Sequence, residues 1–504
     1  MGLSRSILGV VALALGFSEG VLCLAPRNNS SPDLSRLPTF ASKPRVFILS
    51  DILAEVDDTE SFVRYLLYSN EFETRGLCAS TSVWLQNITH PEAIKQIVEA
   101  YGEVVDNLNS HVSPEAQYQN ASTMLSLVTS GPAVFGKEAL SIAPSEGALL
   151  LVQRLEESEE PLWIPTWGGI NTLAQALQYI QDNYSADDAA ALRSRLRVYA
   201  ISDQDDSGPW IRANFPDVFY IVSVHAWNSY YASTWLGISA NLAGTNVTKV
   251  SKPWLAENIK IGGALSEQYP LPLYTMEGDS PSFLYLIQNG LGHPEFPNWG
   301  SWGGRYGYVV PGSKQYSDTV DQAVGVDGVS YVNNKASVYR WRDHFQNDFA
   351  ARMQWTVTSD FWNASHPPVP VVNGTQGPDL LNITVAAGQT VVLDASESYD
   401  PDHPDTVENL QFEWYHYAEP TEYVTSPNGL THLNLTALSP PEGTNGTLSY
   451  NDAGFEGVVI GKTVGVEVPG DTTGLGYHII LQVTSLTAPL PLRRYLRVIL
   501  NVEA

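Results

Sequence analysis

Arg45-Val46-Phe47-Ile48-Leu49-Ser50-Asp51-Ile52-Leu53-Ala54-Glu55-Val56-Asp57-Asp58 passes from an unbroken apolar run into an acidic turn, and Asp58–Ser69 then repeats apolar residues at helical spacing. An apolar run without polar alternation predicts a strand covered on both faces. Acidic residues at the entrance to a helix meet its positive end. Strand, carboxylate-bearing turn and helix are therefore the unit from which the rest of the chain is read.

The unit recurs. Apolar runs at Gly76–Ala79, Leu162–Trp167, Leu196–Ile201, Phe219–Val222 and Leu271–Met276 alternate with amphipathic stretches at His90–Val105, Ser145–Glu156 and Asn171–Gln181. This alternation predicts an α/β fold, a mostly parallel sheet with helices on both faces. Tyr339–Val357 is another helical pattern, and its Trp341, Phe345, Phe349 and Met353 read as core that closes the domain. His366-Pro367-Pro368-Val369-Pro370 signals a linker. Beyond it Asn382–Val385, Gln389–Leu393, Leu410–Tyr417, Gly457–Ile460, Tyr477–Thr484 and Tyr495–Val502 alternate like strands, which predicts an antiparallel β-sandwich. The organisation expected is a leader over 1–24, a flexible lead-in over 25–43, an α/β domain over 44–365, a linker over 366–372 and a β domain over 373–504.

Lys and Arg total 27 against 54 Asp and Glu, a formal net charge of −27. Such a surface repels phosphate backbones and anionic lipid, which argues against nucleic acid and membrane partners. Charged residues are only 16% of the chain and hydrophobic ones 43%, a globular balance. Arg5 followed by the short apolar run Ile7–Phe17 and small residues near Gly20 reads as a secretory signal. With Cys23 at that leader, Cys78 is left alone in the mature chain, so neither a disulfide scaffold nor a cysteine zinc site is expected. Asn28, Asn29, Asn87, Asn120, Asn183, Asn246, Asn363, Asn373, Asn382, Asn434 and Asn445 all stand in N-glycosylation acceptors. Leader and acceptors together predict a secreted, extracellular glycoprotein.

In an open α/β sheet, ligands bind beyond the carboxyl ends of the strands. Those ends are followed here by Asp51 with Asp57 and Asp58, by Trp84, by Gly168-Gly169-Ile170-Asn171, by Asp205 and Asp206, and by Glu277 and Asp279. Carboxylates converging at one edge repel unless a cation neutralises them, and an all-oxygen donor set suits a hard ion, Ca²⁺ rather than Mg²⁺ where loops are irregular. Taken singly, Asp58 or Asn171 reads equally well as a helix cap.

The segment Asp51–Asp58 with its helix resembles the N-terminal aspartate motif of the nucleoside hydrolases, with a gap before Asp57-Asp58 that is longer by two residues. The nearer resemblance is to the nucleoside-hydrolase-like family described as cellulose-binding proteins of the Sde182 type. It is carried by Asp51–Asp58, Ser82-Val83-Trp84, Trp167–Ala174, Ser202–Arg212, Met276–Ser282, Asn298–Arg305 and the C-terminal β region. The resemblance implies that Asp51 binds metal and activates water, that Asp58 and Asp279 are metal ligands, that Asp57 binds sugar hydroxyls, and that Asn171 gives a backbone carbonyl to Ca²⁺. Where relatives carry a His just before the last aspartate, this chain has Gly278, which leaves the leaving-group chemistry open. Leu393–Asp402 resembles the early strand and turn of polycystic-kidney-disease-like and Ig-like modules, usually spacers or carbohydrate binders.

Glu277, Asp205, Asp206 and Arg305 are candidates to hold a leaving group or sugar ring, each with an ordinary ion pair as the competing role. Trp84, Trp167, Trp210, Trp299 and Trp302 are candidates to stack on sugar faces, each with core packing as the competing role. His225 and His293 read as structural. Three functions compete: a secreted Ca²⁺-dependent hydrolase of N-glycosyl or saccharide O-glycosyl bonds, a non-catalytic binder of cellulose or a related plant cell-wall polysaccharide, and, as the poorest fit beside a leader, a nucleoside salvage enzyme, which would here scavenge nucleosides outside the cell. The partner expected is a carbohydrate or nucleoside-like small substrate.

Overall fold

Eight strands build the first sheet: β1 (Arg45–Ser50), β2 (Glu73–Ala79), β3 (Val128–Ser130), β4 (Leu162–Thr166), β5 (Leu196–Ser202), β6 (Phe219–Ser223), β7 (Tyr306–Tyr308) and β8 (Gln315–Asp318). Their order is β3-β2-β1-β4-β5-β6-β8-β7, parallel throughout except for β7 against β8. The computed structural model describes residues 31–404, 406, 408–421, 433–470, 476–486 and 490–503. The leader, Cys23 and the acceptors Asn28 and Asn29 lie outside the described residues.

Alternate residues of β1 enter two different cores. Val46 and Ile48 pack with α1 (Asp57–Tyr68) and α2 (Pro91–Gly102), through Phe62, Leu66, Ile94 and Val98. Phe47 and Leu49 pack on the other face with Leu151 and Leu155 of the helix Glu146–Glu156 and Leu173 and Leu177 of the helix Asn171–Asn183. Both faces of the sheet are covered, which is why the strand runs lack polar alternation. Leu271–Met276, expected as a strand, is irregular instead. Pro270 and Pro272 remove two ladder donors, and Leu273 and Tyr274 stand exposed.

The hairpin β9 (Asp321–Val324) and β10 (Ser330–Asn333) follows, then the long helix Arg342–Trp355. The segment 366–372 is buried along its length and ends in a small hairpin of β11 (Val371–Val372) and β12 (Thr375–Gln376). The C-terminal strands are β13 (Leu381–Val385), β14 (Thr390–Asp394), β15 (Leu410–His416), β16 (Asn434–Ala437), β17 (Thr447–Tyr450), β18 (Glu456–Ile460), β19 (Thr463–Glu467), β20 (Gly476–Ser485) and β21 (Leu492–Val502). They form sheets ordered β13-β21-β20-β15-β18-β17 and β14-β19-β16, antiparallel except for the edge pair β13–β21, and together they make a β-sandwich.

The larger of these sheets is buried on both sides. Leu393, Phe412, Trp414, Val464, Ile479, Leu481, Val483, Leu496 and Val498 fill the sandwich. Tyr415, Tyr417, Ile480 and Tyr495 point the other way, into the same core as Trp302, Trp341 and Phe345. Polar groups in that contact are paired. Asp321 takes Arg305 Nε at 2.6 Å, Arg340 Nη1 at 3.0 Å and Tyr417 Oη at 2.5 Å. Arg340 also lies 3.6 Å over the Phe455 ring. Residues from Asp33 onward form one compact unit, in which Leu37 of the expected lead-in is buried.

Candidate functional site

Because β1, β4, β5 and β6 run parallel, their carboxyl ends share one edge, and the loops leaving that edge enclose a cleft of about 210 Å³. Asp51, Glu55, Asp57, Asp58 and Asp279 form its acidic wall; Trp84, Trp167, Tyr230, Trp235 and Tyr274 form half of the rest. Asp51 closes β1, and Asp57 and Asp58 open α1, so a single turn delivers all three. Oxygens of Asp57, Asp58 and Asp279 lie within 4.8 Å of one another.

Burial sets the chemistry of this wall. It pushes Asp51 up to about 6, against a hydrogen bond from Ser82. Burial and then the charges of Glu55 and Asp51 push Asp57 up to about 7. Asp58 and Asp279 are held well above the carboxylate range, by burial first and then by the charges of Asp51 and Asp57 on Asp58 and of Asp58, Asp57 and Asp51 on Asp279, although Ser50 Oγ donates to Asp58 at 2.5 Å. Among the described residues, ion pairs place Arg64 on Glu277, Arg212 on Asp203, and Arg305 and Arg340 on Asp321, and none on these four aspartates. Asp279 Oδ2 is buried without a hydrogen-bond partner.

Glycines bring the backbone against the acids. A β-carbon on Gly168 would fall 2.5 Å from Asp51 Oδ1, and one on Gly278 would fall 2.9 Å from Asp57 Oδ2. The absence of a side chain at 278 is therefore matched to its surroundings.

Trp84 and Trp167 line the cleft as expected positions for aromatic rings. Trp167 is almost fully buried, donating from Nε1 to Ser282 Oγ at 2.8 Å, whereas Trp84 is 44% exposed and stacks on Trp227 at 5.4 Å. The other candidates lie elsewhere. Asn171 does not line the cleft: its Nδ2 donates to Thr81 Oγ1 and to the Val134 carbonyl. Asp205 caps two helix starts, accepting from Asn171 N and Ser207 N. Asp206 is exposed and pairs with Lys137. Trp302 is fully buried and donates to Tyr495 Oη at 3.2 Å, so it packs the contact with the β-sandwich and meets no ligand. Arg305 is occupied by Asp321 in the same contact. Glu277 is fully buried behind the acidic wall, on Arg64.

Several lining residues escaped the sequence reading. Glu55 sits in the lengthened turn between Asp51 and Asp57. Asn228, Tyr230 and Trp235 follow β6, beyond whose end no Asp or Glu occurs from Ser223 to Trp235 to mark the site in the sequence. Tyr230 Oη accepts from Trp84 Nε1 at 3.2 Å, and Asp51 and Glu55 act on its hydroxyl. His225 is held by Ser202 Oγ at 2.7 Å and packs edge-on against Tyr230.

A parallel sheet with an aspartate-lined cleft at its carboxyl edge, joined to a β-sandwich, defines a nucleoside hydrolase-like protein with a C-terminal β domain. Residues 45–306 match the family model of the cellulose-binding Sde182 nucleoside hydrolase-like domain, and residues 390–502 match that of the cellulose-binding protein Sde0182 C-terminal domain. The chain belongs to this family. It is also similar to a solved nucleoside hydrolase-related hypothetical protein from Saccharophagus degradans that is associated with carbohydrate metabolism. The TM-score is 0.72 at 28% identity, covering 92% of this chain and 100% of that one. No curated protein matches the chain.

Proposed function

We propose that the protein hydrolyses glycosyl bonds of a carbohydrate substrate, N-glycosyl or saccharide O-glycosyl, with Ca²⁺ held by the cleft aspartates. The carrying observation is the trio Asp57, Asp58 and Asp279, whose oxygens converge within 4.8 Å. The donor set fits a hard cation. All the donors are oxygens, the buried Asp279 Oδ2 lacks a partner, and like charges crowd without a cationic side chain. Asp57, Asp58 and Asp279 would hold the ion, with Asp51 beside them. Ca²⁺, when bound, offsets the carboxylate charge and acidifies a coordinated water.

The chain's own groups divide the remaining work. Asp51, at the end of a rigid strand, accepts the proton of the attacking water at its carboxylate. Asp57, partly open to the cleft, accepts hydrogen bonds from sugar hydroxyls. Attack by water is direct, with no covalent intermediate. Tyr230 Oη already accepts the Trp84 N–H, so its own proton stays free for a bound group.

The mouth favours a saccharide over a nucleoside. Trp84, Trp227 and Tyr274 expose 44%, 66% and 82% of their surface around it. Aromatic faces left in water suit the apolar faces of sugar rings outside the cleft. The same rings favour the second reading, binding to cellulose without turnover. Secretion and glycosylation complete the proposal, and the acceptors Asn87, Asn120, Asn183, Asn363, Asn373, Asn382, Asn434 and Asn445 are exposed. Asn246 is half-buried beside Asp343.

Turnover of nucleosides, aryl glycosides and plant oligosaccharides, measured with Ca²⁺ and with chelator, tests the hydrolase. No turnover on any of them, with Asp51→Asn unchanged from wild type, refutes it. Retention on insoluble cellulose then decides the second reading.

A further inference from the structure

Behind the acidic wall lies a second buried cluster, whose members do not line the cleft. Arg64 of α1 forks onto Glu277: Nη2 donates to Oε1 at 3.0 Å, and Nε lies 2.5 Å from Oε2 as a charge contact without hydrogen-bond geometry. Tyr269 Oη donates to Glu277 Oε1 at 2.6 Å, and Ser280 Oγ donates to Oε2 at 2.8 Å. Ser280 Oγ also meets Ser61 Oγ at 3.0 Å, and the Glu277 backbone N–H donates to Glu60 Oε2 at 2.8 Å. Arg64 is fixed from the other side by the Phe345 carbonyl and Gln346, with its guanidinium 4.0 Å over the Phe349 ring. Arg64, Glu60, Glu277 and Ser280 are all fully buried.

Topology gives this cluster its meaning. Glu60, Ser61 and Arg64 lie on the helix that carries Asp57 and Asp58. Glu277 and Ser280 flank Asp279 on a loop that arrives from far along the chain. Glu277 also holds φ +50, a left-handed conformation that a β-carbon disfavours. Such a conformation persists only where the surroundings over-determine it, and the bonds to Arg64, Tyr269, Ser280 and Glu60 do so.

We infer that Arg64 and Glu277 are positioning residues whose fork holds the Asp279 loop in register with Asp57 and Asp58, so that the cation affinity of the cleft depends on a pair that never touches the ion. The inference rests on the reading of the cleft as a cation site. Partners of metal ligands in this outer position typically change affinity by about 10–100-fold when altered.

The test is calorimetric titration of chelator-stripped full-length protein with CaCl₂, paired with thermal unfolding of the same samples in chelator. Glu277→Gln keeps the shape and loses the charge. Arg64→Lys keeps the charge and loses the fork. The double variant Arg64→Gln with Glu277→Gln removes both charges of the pair together, and Asp321→Asn disturbs a distant buried pair as a control. The expected result is Ca²⁺ affinity at least about 10-fold weaker in the first three and unchanged in the control. If Glu277→Gln does not fold, Arg64→Lys and the double variant decide. Variants that fold and bind within twofold of wild type overturn the fork while leaving the cation site intact. A wild-type protein that takes up no Ca²⁺ refutes the cation reading itself, and the fork with it.

Discussion

Replacing Gly168 by alanine places a methyl group where Asp51 stands. The new β-carbon would fall 2.5 Å from Asp51 Oδ1, 2.6 Å from Cγ and 2.7 Å from Cβ. Ordinary contact begins near 3.4 Å, so each atom would have to yield by about 0.7–0.9 Å. A side-chain rotation moves the oxygen and Cγ but leaves Cβ in place, so the backbone must shift as well. That backbone is held by β1 between β2 and β4, and by the Ala54 N–H on the Asp51 carbonyl at 2.9 Å. Overpacking of this kind costs about 1–3 kcal/mol. A catalytic group displaced by about 1 Å loses on the order of 100-fold in rate, about 2.7 kcal/mol of barrier. Gly168→Ala is therefore expected to fold, with a melting temperature a few degrees lower, and to lose about 100-fold in kcat/KM. The assay is turnover of whichever nucleoside or glycoside the wild type cleaves, with Gly169→Ala alongside, whose methyl meets Asp205 and the Thr81 carbonyl instead. Gly168→Ala activity within threefold of wild type, in a protein of unchanged stability, would refute the placement of Asp51 as the working base.

The metal-free cleft makes stability depend on pH. Asp51 at about 6 and Asp57 at about 7 lie above their unfolded values, so folding favours the protonated forms; that contribution is complete at acid pH and is lost as pH rises through about 6 to 7. Thermal unfolding in chelator should show a falling melting temperature from pH 5 to pH 8, and added Ca²⁺ should raise it more at pH 8 than at pH 5. Trp227→Ala removes a ring that stacks on Trp84 outside the acidic wall, and should weaken oligosaccharide binding by about 1 kcal/mol, roughly fivefold by calorimetry, without altering Ca²⁺ binding. Asp321→Asn leaves Arg305 and Arg340 buried against a neutral amide and should cost about 3–5 kcal/mol in denaturant unfolding. A chain ending at residue 372 exposes Trp302, Trp341 and Phe345, and is expected to be insoluble or to lack a cooperative melting transition.

Legibility of the fold followed burial. β1, β4, β5 and β6 are covered on both faces, and their unbroken apolar runs mark them in the sequence. β3 has three residues, none fully buried, and gives no comparable signal. Leu271–Met276 failed for the opposite reason: it is apolar enough for a strand, but Pro270 and Pro272 cannot donate to a ladder. In the C-terminal half, Tyr477–Thr484 was legible as a strand. What it packs on was not, because its odd-numbered apolar residues face the sandwich, while the even-numbered His478, Ile480 and Gln482 face the side of Trp299 and of the helix Arg342–Trp355. A boundary drawn at the proline-rich segment 366–370 is correct as a change of secondary structure and silent about that packing.

Carboxylate counting at strand ends found Asp51, Asp57 and Asp58 because they follow β1 or open α1, where position alone brings them to one edge, whereas Asp279 was reached through an expected strand that is irregular, two residues before the short helix Pro281–Leu284. The same rule could not tell a carboxylate that faces the cleft from one that faces inward. Glu277 and Asp279 are two residues apart, yet the left-handed turn at Glu277 sends one to Arg64 and leaves the other in the wall. Asp205 and Asp206 are adjacent, and one caps helices while the other meets Lys137 in solvent. What separates them is the counter-charge: where a buried guanidinium or backbone N–H is present, the carboxylate is spoken for, and where none reaches it, as at Asp58 and Asp279, the charge is left for something from outside the chain. The net charge of −27 thus contains two populations. The one proposed to bind a cation is set apart by its missing partners, a property of three-dimensional neighbours that no count along the sequence contains.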